Sequence, residues 1–446
     1  MSTPRTRFLA ARAGQRGRQW LGEVPVISAL TPTRLRPCPL RLSPLEVARG
    51  LRARPGFVWF DSSDEAAGSI SVMACDPTQI LRGSRDERSV LREALDDLRG
   101  KGETTGQRLD LGLPGPGLFG TIDFDGSWCF GVYPEVLVYR HATDQWWESG
   151  GLSTRIDASH TADLSGAQPS LTLTPLWSRD GFLNAVHRAL EYIGAGDIYQ
   201  VNLAQPWASS WPHGGDAFHF YEKLRAFSPA PYSAFLDLGG RQVASASPEL
   251  FLRMSGRTIR TRPIKGTRPR HRLAQEDERA AYDLITSPKE IAELIMITDL
   301  ERNDLGQICD FGTVTVPDLL RLERFQQVFH LVSTVEGILR HELDHVDALW
   351  ACLPGGSISG APKKRALEII NELEPFPRGL YTGVIGWLGA GGESQFSIAI
   401  RTAIADADRF HFHAGAGIVA DSVPEKEYDE TWHKAASLLG AVTWNR

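Results

Sequence analysis

Between about residues 20 and 175 the apolar positions fall in short runs broken by Gly, Pro, Asp and Ser, as in Phe57-Val58-Trp59-Phe60, Leu118 to Phe124 and Val136 to Tyr139. Runs of that length, rich in aromatic and β-branched residues, predict strands. One helical stretch, Arg88 to Leu98, interrupts them, and Gly150 to Gln168 reads as a polar connection. At Ser178 the period changes. Phe182, Val186, Ala189, Leu190 and Ile193 line one face of a predicted helix that stops at Gly194. Strand-like runs then follow at Ile198 to Ala204, Gln242 to Ala246, Val328 to Val335, Gly383 to Leu388, Gln395 to Ile404 and Phe410 to His413, with helices between them. Strands and helices mixed without a regular βαβ alternation predict an α+β fold with largely antiparallel sheets. The change of period divides the chain into an N-terminal region, 1–175, and a second region, 176–446.

A chain of 446 residues with 42% hydrophobic content buries a large core, in two or three domains or one unusually big one. With a formal net charge of -6 and neither sign in long blocks, nothing recommends a nucleic-acid or membrane partner, which leaves a small ligand. Cys38, Cys75, Cys129, Cys309 and Cys352 lie far apart, with no CxxC pair and no Cys/His cluster at zinc spacing. That is the usage of a reduced, cytoplasmic protein. No apolar run approaches the roughly 18 residues that span a bilayer, and the N-terminus lacks a secretory apolar stretch. Arg5, Arg7, Arg12, Arg16 and Arg18 imitate an organelle transit peptide, but a frayed tail is the preferred reading.

Several stretches carry candidate chemistry. Arg262-Pro263-Ile264-Lys265-Gly266-Thr267 places a lone lysine between a proline-fixed backbone and a glycine, downstream of Ser247-Pro248-Glu249. Near its ordinary pKa of about 10.4 an exposed lysine is a protonated spectator; desolvated beside another cation it becomes an amine that attacks carbon. In Ser287-Pro288-Lys289-Glu290-Ile291-Ala292-Glu293, serine and proline open a helix and Glu290 takes the capping-box place. Glu293 falls one turn on, among Ile291, Leu294 and Ile295, which are expected to be buried. Ser422 to Glu430 repeats the design with a serine cap, and puts Glu427 and Glu430 on one face. Each acidic helix start alone simply suits the helix dipole. Brought together, they offer up to four carboxylates to one divalent ion, and an oxygen-only donor set points to Mg²⁺ rather than zinc.

Pro354 to Lys363 is glycine-rich and leads into a helix carrying Ala366, Leu367, Ile370 and Leu373. Close backbone approach and a helix N-terminus suit a carboxylate, although the Walker spacing is missing. His413-Ala414-Gly415-Ala416-Gly417 follows a strand and adds backbone donors. Phe396 to Ile404 reads as one strand, with Ser397, Ala399, Arg401 and Ala403 on the face opposite Phe396, Ile398, Ile400 and Ile404. An arginine among small residues leaves space for a planar anion gripped bidentately; an internal salt bridge is the alternative. His330, beside Val328, Val332 and Thr334, is on its own a core histidine.

Taken together, these segments resemble the chorismate-utilising enzymes, a family that includes the large subunits of anthranilate synthase and aminodeoxychorismate synthase, with isochorismate and salicylate synthases as cousins. The likeness covers residues 178 to 440, through Asp197 to Gln205, Ser247-Pro248-Glu249, the Lys265 loop, Asp299 to Gly306, Gly355 to Lys363, Tyr381 to Gly386, Gln395 to Ala403 and Gly415 to Glu430. Earlier residues match more faintly, in Phe57 to Ser63, Gly117 to Asp125 and Val136 to Trp147. The resemblance implies a two-lobed antiparallel β-sandwich surrounded by helices, like anthranilate synthase component I, in which the two regions interleave.

It also implies an activity. Anthranilate synthases carry alanine in the loop of position 265, whereas aminodeoxychorismate synthases carry the lysine found here. On that basis Lys265 is expected to attack C2 of chorismate while Glu249 protonates the departing C4 hydroxyl, with His330 close to the ring. Ammonia then enters at C4, giving 4-amino-4-deoxychorismate, the precursor of the 4-aminobenzoate part of folate. By the same resemblance Glu293 and Glu430 bind Mg²⁺, with Glu290 and Glu427 nearby or reaching it through water. Gly266, Thr267, Ser357, Tyr381, Arg401, Gly415, Gly417 and Gln200 are expected to line the substrate. Isochorismate-type relatives activate water with a lysine in the strand where Gln200 stands here, which disfavours water as nucleophile. Mg²⁺ and Arg401 are expected to lower the pKa of Lys265, while Glu249 needs apolar or carboxylate-rich surroundings to keep its proton. No Gly-x-Cys-x-Gly elbow surrounds any cysteine, so ammonia is expected from a separate glutamine amidotransferase subunit. Some relatives hold tryptophan near the segments matching Asp61-Ser62-Ser63 and Pro229 to Ser233. The rival readings are anthranilate synthase component I, with Lys265 a bystander, and a non-catalytic chorismate-binding paralogue.

Overall fold

The computed structural model describes residues 35–63, 69–100, 113–160, 171–212, 215–325 and 327–443; the arginine-rich start and residues 161–168 of the expected connection lie outside them. The short apolar runs form strands, among them Val58–Asp61, Gly117–Ile122 and Val136–Arg140, and the interrupting helix spans Ser89–Gly100. The helix expected after Ser178 runs Arg179–Gly194, and the Ser178 hydroxyl accepts the Gly181 N–H at its start.

Two antiparallel sheets result, one of 12 strands and one of 10. The centre of the first runs Val58–Asp61, Tyr232–Asp237, Arg241–Ser247, Thr402–Asp406, Arg409–Ile418 and Gln200–Ser210. The centre of the second runs Val328–Ile338, Thr258–Arg262, Leu250–Ser255, Glu393–Ile398, Val384–Gly389 and Gly117–Ile122. Both sheets take strands from each side of residue 175, so the break in sequence pattern there does not divide the fold.

Facing residues of the two sheets pack into one core, in which Phe60, Leu236, Val243 and Ile404 of the first meet Phe119, Ile385 and Trp387 of the second. Helices cover the outer faces. Ala217–Phe227 and Pro424–Thr443 lie over Trp207, Phe410 and Phe412, while Ser89–Gly100 and His345–Cys352 lie over Phe130, Phe251 and Phe396. Truncating an aromatic side chain in such a core costs about 3–5 kcal/mol.

The expected single strand from Phe396 to Ile404 is two. Glu393–Ile398 belongs to the 10-stranded sheet and Thr402–Asp406 to the 12-stranded one, and the chain crosses between them at Ala399-Ile400-Arg401. Arg401 has φ +48°, a left-handed backbone that no alternating strand contains. Its direction is therefore set by the crossing and not by the parity that the sequence pattern implied. A second crossing, Ser247-Pro248-Glu249, runs beside it: the Ser247 hydroxyl donates to the Ile398 carbonyl at 2.6 Å and the Ile398 N–H to the Glu249 carbonyl at 3.1 Å.

Candidate active site

The lysine loop forms the edge strand Ile264–Pro269, which pairs with Val328–Ile338. Lys265 lies opposite Leu331 and Thr267 opposite His330, so the register slips at Gly266, where φ is +74°. A Cβ at Gly266 would stand 2.6 Å from Leu284 Cδ1 and 3.0 Å from Glu290 Oε2, so both the bulge and the space require glycine. Beyond the bulge the Lys265 side chain, 16% exposed, turns inward, and its Nζ is 3.8 Å from Glu293 Oε2.

The two acidic helix starts converge on that amine. Pro288–Gly306 opens on Ser287, whose hydroxyl accepts the Glu290 N–H; Glu290 does not complete a capping box but pairs with Arg268 at 3.4 Å. Of the three neighbours expected to bury Glu293, Leu294 is buried, Ile291 is half-buried and Ile295 is exposed. At the second helix, Pro424–Thr443, Ser422 does not cap Glu425: its hydroxyl accepts the Val419 N–H and lies near the Glu427 carboxylate, whose charge it favours. Burial pushes Glu293 above the ordinary carboxylate range, Lys265 and Lys289 pull it back, and Glu290 and Glu430 push it further. Burial also raises Glu427, with Glu430 adding to it, and the Oε2 atom of Glu427 is buried without a hydrogen-bond partner. For Glu430 burial opposes the charge, but Lys434, at 2.6 Å, and then Lys289 and Lys265 outweigh it and hold the group low.

Among the described residues no three such side chains are close enough to form a ready-made metal centre. The lysines stand between the carboxylates instead. The donor set nevertheless suits a hard divalent cation, because it is all oxygen, includes one orphaned buried carboxylate oxygen, and holds two carboxylates whose mutual repulsion a cation would relieve.

Glu249 is 6% exposed at the crossing between sheets. Burial raises its pKa, against the pull of the Ser357 hydroxyl, of Lys265, of the Ile264 N–H and of Lys434. His330 is buried, with Nδ1 3.1 Å from Thr267 Oγ1 and 3.3 Å from the Gly266 carbonyl. Burial first, and Arg401 second, push His330 down to about 4, so it is a neutral imidazole at physiological pH. The Arg401 guanidinium is desolvated, which lowers its pKa, and among the described residues it makes no ion pair. An arginine in that state is a place for an anionic ligand.

The glycines expected to follow a strand are part of one. Arg409–Ile418 pairs with Gln200–Ser210, setting Gly417 opposite Asn202 and Gly415 opposite Ala204. A Cβ on Gly417 would lie 2.9 Å from Gln200 Nε2 and 3.8 Å from Lys265 Nζ; one on Gly415 would lie 2.8 Å from both Tyr381 Oη and Asn202 Oδ1. The missing side chains thus keep open a space bounded by Lys265, Gln200, Asn202 and Tyr381. The Gly415 carbonyl accepts from Lys434 at 3.0 Å, and His413 stacks on Tyr381. In the Pro354 to Lys363 stretch, the Gly356 N–H is taken by Glu301 and Lys363 by Asp304 and the Cys352 carbonyl, so these two donors serve the protein itself. Asp61 and Ser63 do meet the Ala230–Ser233 segment, at a small cavity between the sheets bordered by Trp387. There the Asp61 carboxylate holds Arg225 and Ser71, each at 2.6 Å.

Sequence reasoning did not single out Asn202, Lys434, Glu301 or Arg378. Lys434 had a signal, its i+4 spacing from Glu430, and Asn202 shares strand parity with Gln200. Glu301 gave none, since the Gly356 N–H it accepts lies far off in the chain, whereas Arg378 stands four residues from its partner Glu374.

The protein family described as chorismate binding enzyme matches residues 67–440. Anthranilate synthase component 1 of Thermus thermophilus is 50% identical over 266 residues, covering 60% of this chain and 57% of its own. Aminodeoxychorismate synthase component 1 of Bacillus subtilis is 39% identical over 335 residues, 70% of each chain. The match thus spans little more than half the length of the Thermus protein. Among solved structures, anthranilate synthase component I from Streptococcus pneumoniae superposes with a TM-score of 0.73 at 31% identity, over 84% of this chain and 92% of that one.

Proposed function

The chain belongs to the chorismate-binding enzymes, and from that premise we propose that it aminates chorismate at C4 to 4-amino-4-deoxychorismate, as the large subunit of an aminodeoxychorismate synthase. The observation that carries the reading is Lys265, turned inward to a space shared with Gln200 and Gly417, with Glu293 3.8 Å from its amine.

In the proposed reaction the Lys265 amine adds to C2 through its nitrogen lone pair. The two ring double bonds shift, the C4–O bond breaks, and Glu249 gives its proton to the departing hydroxyl, which leaves as water. The new C2 ammonium loses a proton to solvent or base. Ammonia then adds at C4, the electron pairs return, the C2 nitrogen takes back a proton as the C2–N bond breaks to free the lysine, and the new C4 ammonium gives a proton to the Glu249 carboxylate. Glu249 suits the acid role because burial keeps it protonated to higher pH. His330, neutral and fixed by Thr267, presents a polar edge without adding charge. Arg401 supplies the cation for a substrate carboxylate. Glu293 and Glu430, with Glu290 and Glu427 beside them, would hold Mg²⁺, which when bound neutralises and orients the ring carboxylate. Ammonia would come from a glutamine amidotransferase subunit, and the product would feed 4-aminobenzoate and folate synthesis in the cytoplasm.

Anthranilate synthesis is the second reading, favoured by the 50% identity to the Thermus enzyme. Purified protein given chorismate, Mg²⁺ and ammonium at alkaline pH is expected to yield 4-aminobenzoate once a lyase is added. Fluorescent anthranilate as the main product would overturn the proposal in favour of that second reading.

A further inference from the structure

Two buried ionisable side chains outside the reacting groups meet at one short turn, Gly356–Ser359, which carries Ser357. From one side Glu301, 3% exposed on the helix Pro288–Gly306, accepts the Gly356 N–H at 3.1 Å. From the other, Arg378, 4% exposed, donates to the Ile358 carbonyl at 3.1 Å. The rest of the Arg378 guanidinium is fully engaged, with the Asn202 carbonyl at 2.7 Å, Thr382 Oγ1 at 3.1 Å and the Glu374 carboxylate at 2.7 and 2.9 Å. Glu374 in turn accepts the Ala204 N–H at 2.8 Å. A single cation therefore ties the turn to the strand Gln200–Ser210 and to the Tyr381-Thr382 bend. Between the two holds, the Ser357 hydroxyl lies near the Glu249 carboxyl and favours its charged form.

We propose that Glu301 and Arg378 are positioning residues that clamp the Gly356–Ser359 turn from either side and so hold the Ser357 hydroxyl on Glu249. Besides these two holds, Ile358 packs into the core, the Ser359 hydroxyl donates to the Gly355 carbonyl at 2.8 Å and Gly360 pairs with Val201. The segment is a single helical turn with glycines at Gly355, Gly356 and Gly360, and no side chain caps its start. Without Glu301 a buried N–H loses its acceptor, and the turn must move to find another.

The consequence has a sign. The Ser357 hydroxyl favours the carboxylate form of Glu249, as do Lys265, the Ile264 N–H and Lys434, whereas burial opposes it. The charged groups facing Glu301 are Asp304 on its own helix, Lys363 at the start of the helix Lys363–Leu373 and Glu249 itself, and the buried Cys352 thiol also lies near. Loss of the Ser357 hydroxyl from that place raises the pKa of Glu249. On the reading of Glu249 as general acid, which this inference rests on, turnover falls as pH rises through that pKa. A loosened clamp therefore moves the basic limb of the rate profile to higher pH.

The test is the pH profile of chorismate consumption by wild type, S357A, E301L and E301Q. Losing a hydrogen bond to a carboxylate is worth about one pH unit, so S357A and E301L should both shift the basic limb upward by about that much. E301Q keeps an acceptor for Gly356 and should restore the wild-type limb. An E301L limb that stays with wild type while S357A shifts would overturn the clamp. If E301L does not fold, R378K, which keeps the charge but loses the fork, reads the same shift from the other side. The infrared carboxyl band that disappears in E249Q follows the same titration without turnover. A wild type that makes the wrong product thus defeats the proposed function, while an unmoved Glu249 titration in E301L or R378K defeats the clamp.

Discussion

Replacing Glu301 by glutamine removes a titrating group from the core and keeps an oxygen for the Gly356 N–H. Burial, and then the Asp304 charge, push the Glu301 carboxyl from its ordinary 4.5 up to about 8, against the pull of Lys363 and that N–H. Burial raises Asp304 as well, but Asp304 holds Lys363, so the proton of the pair resides on Glu301. A folded-state pKa above the unfolded one means that the folded chain binds the proton more tightly. The stabilising contribution is then complete below about pH 4.5 and is lost as pH rises to about 8. At about 1.4 kcal/mol per pH unit the ceiling over this window is roughly 4–5 kcal/mol, and sharing of charge with Asp304 reduces it. Glu301→Gln should therefore gain on wild type progressively as pH rises. Urea unfolding of both proteins at several pH values across that window, read as the shift in midpoint at constant slope, measures the gain. A separation between the two midpoints that is the same at every pH would refute the reasoning.

Lys265→Ala should lose about 10³-fold or more in turnover while chorismate affinity, measured by equilibrium binding, stays within about twofold; unchanged turnover would exclude the covalent role. Arg401→Lys keeps the charge but not the fork, so KM for chorismate should rise about 10–100-fold with a smaller change in kcat, and a KM near wild type would show that no carboxylate is gripped there. Calorimetric titration of Mg²⁺ should give binding that the Glu293→Gln/Glu430→Gln protein lacks; equal heats from both would remove these carboxylates from the donor set.

The parts legible from sequence are those with a local cause. The helix after Ser178, the strand around His330 and the acidic faces of two helices follow from spacing, and the structure places them accordingly. Misreadings arose where tertiary context decides. Phe396 to Ile404 has the alternation of one strand, yet it hands the chain from one sheet to the other, because two strands that each bury a face cannot tell the reader which sheet they join. Ile295 is apolar at helical spacing, and it is exposed because the helix has its sheet on the other side. Ser422 has the composition of a cap and instead lies near Glu427, since Pro424 starts the helix two residues later. The glycine cluster expected to follow a strand is part of it, and there glycine serves by having no side chain over Lys265 and Tyr381.

That last contrast explains why overall identity and the proposed activity point in different directions. The likeness to the anthranilate synthase component 1 of Thermus thermophilus is 50% identity over 266 aligned residues. The two crossings, the Gly266 bulge, the Arg378–Glu374 pair and the helix caps hold this scaffold, and none of them supplies a nucleophile. Selection falls on a side chain that can vary without disturbing them. Lys265 meets that condition: its backbone is fixed by strand pairing, and its amine lies in a space bordered by Glu293 and the bare backbone of Gly417. Alanine at that position would leave the sheet register untouched and remove only the amine. On the proposed reading the reaction depends on that one nitrogen atom, and the Lys265→Ala measurement tests this dependence directly.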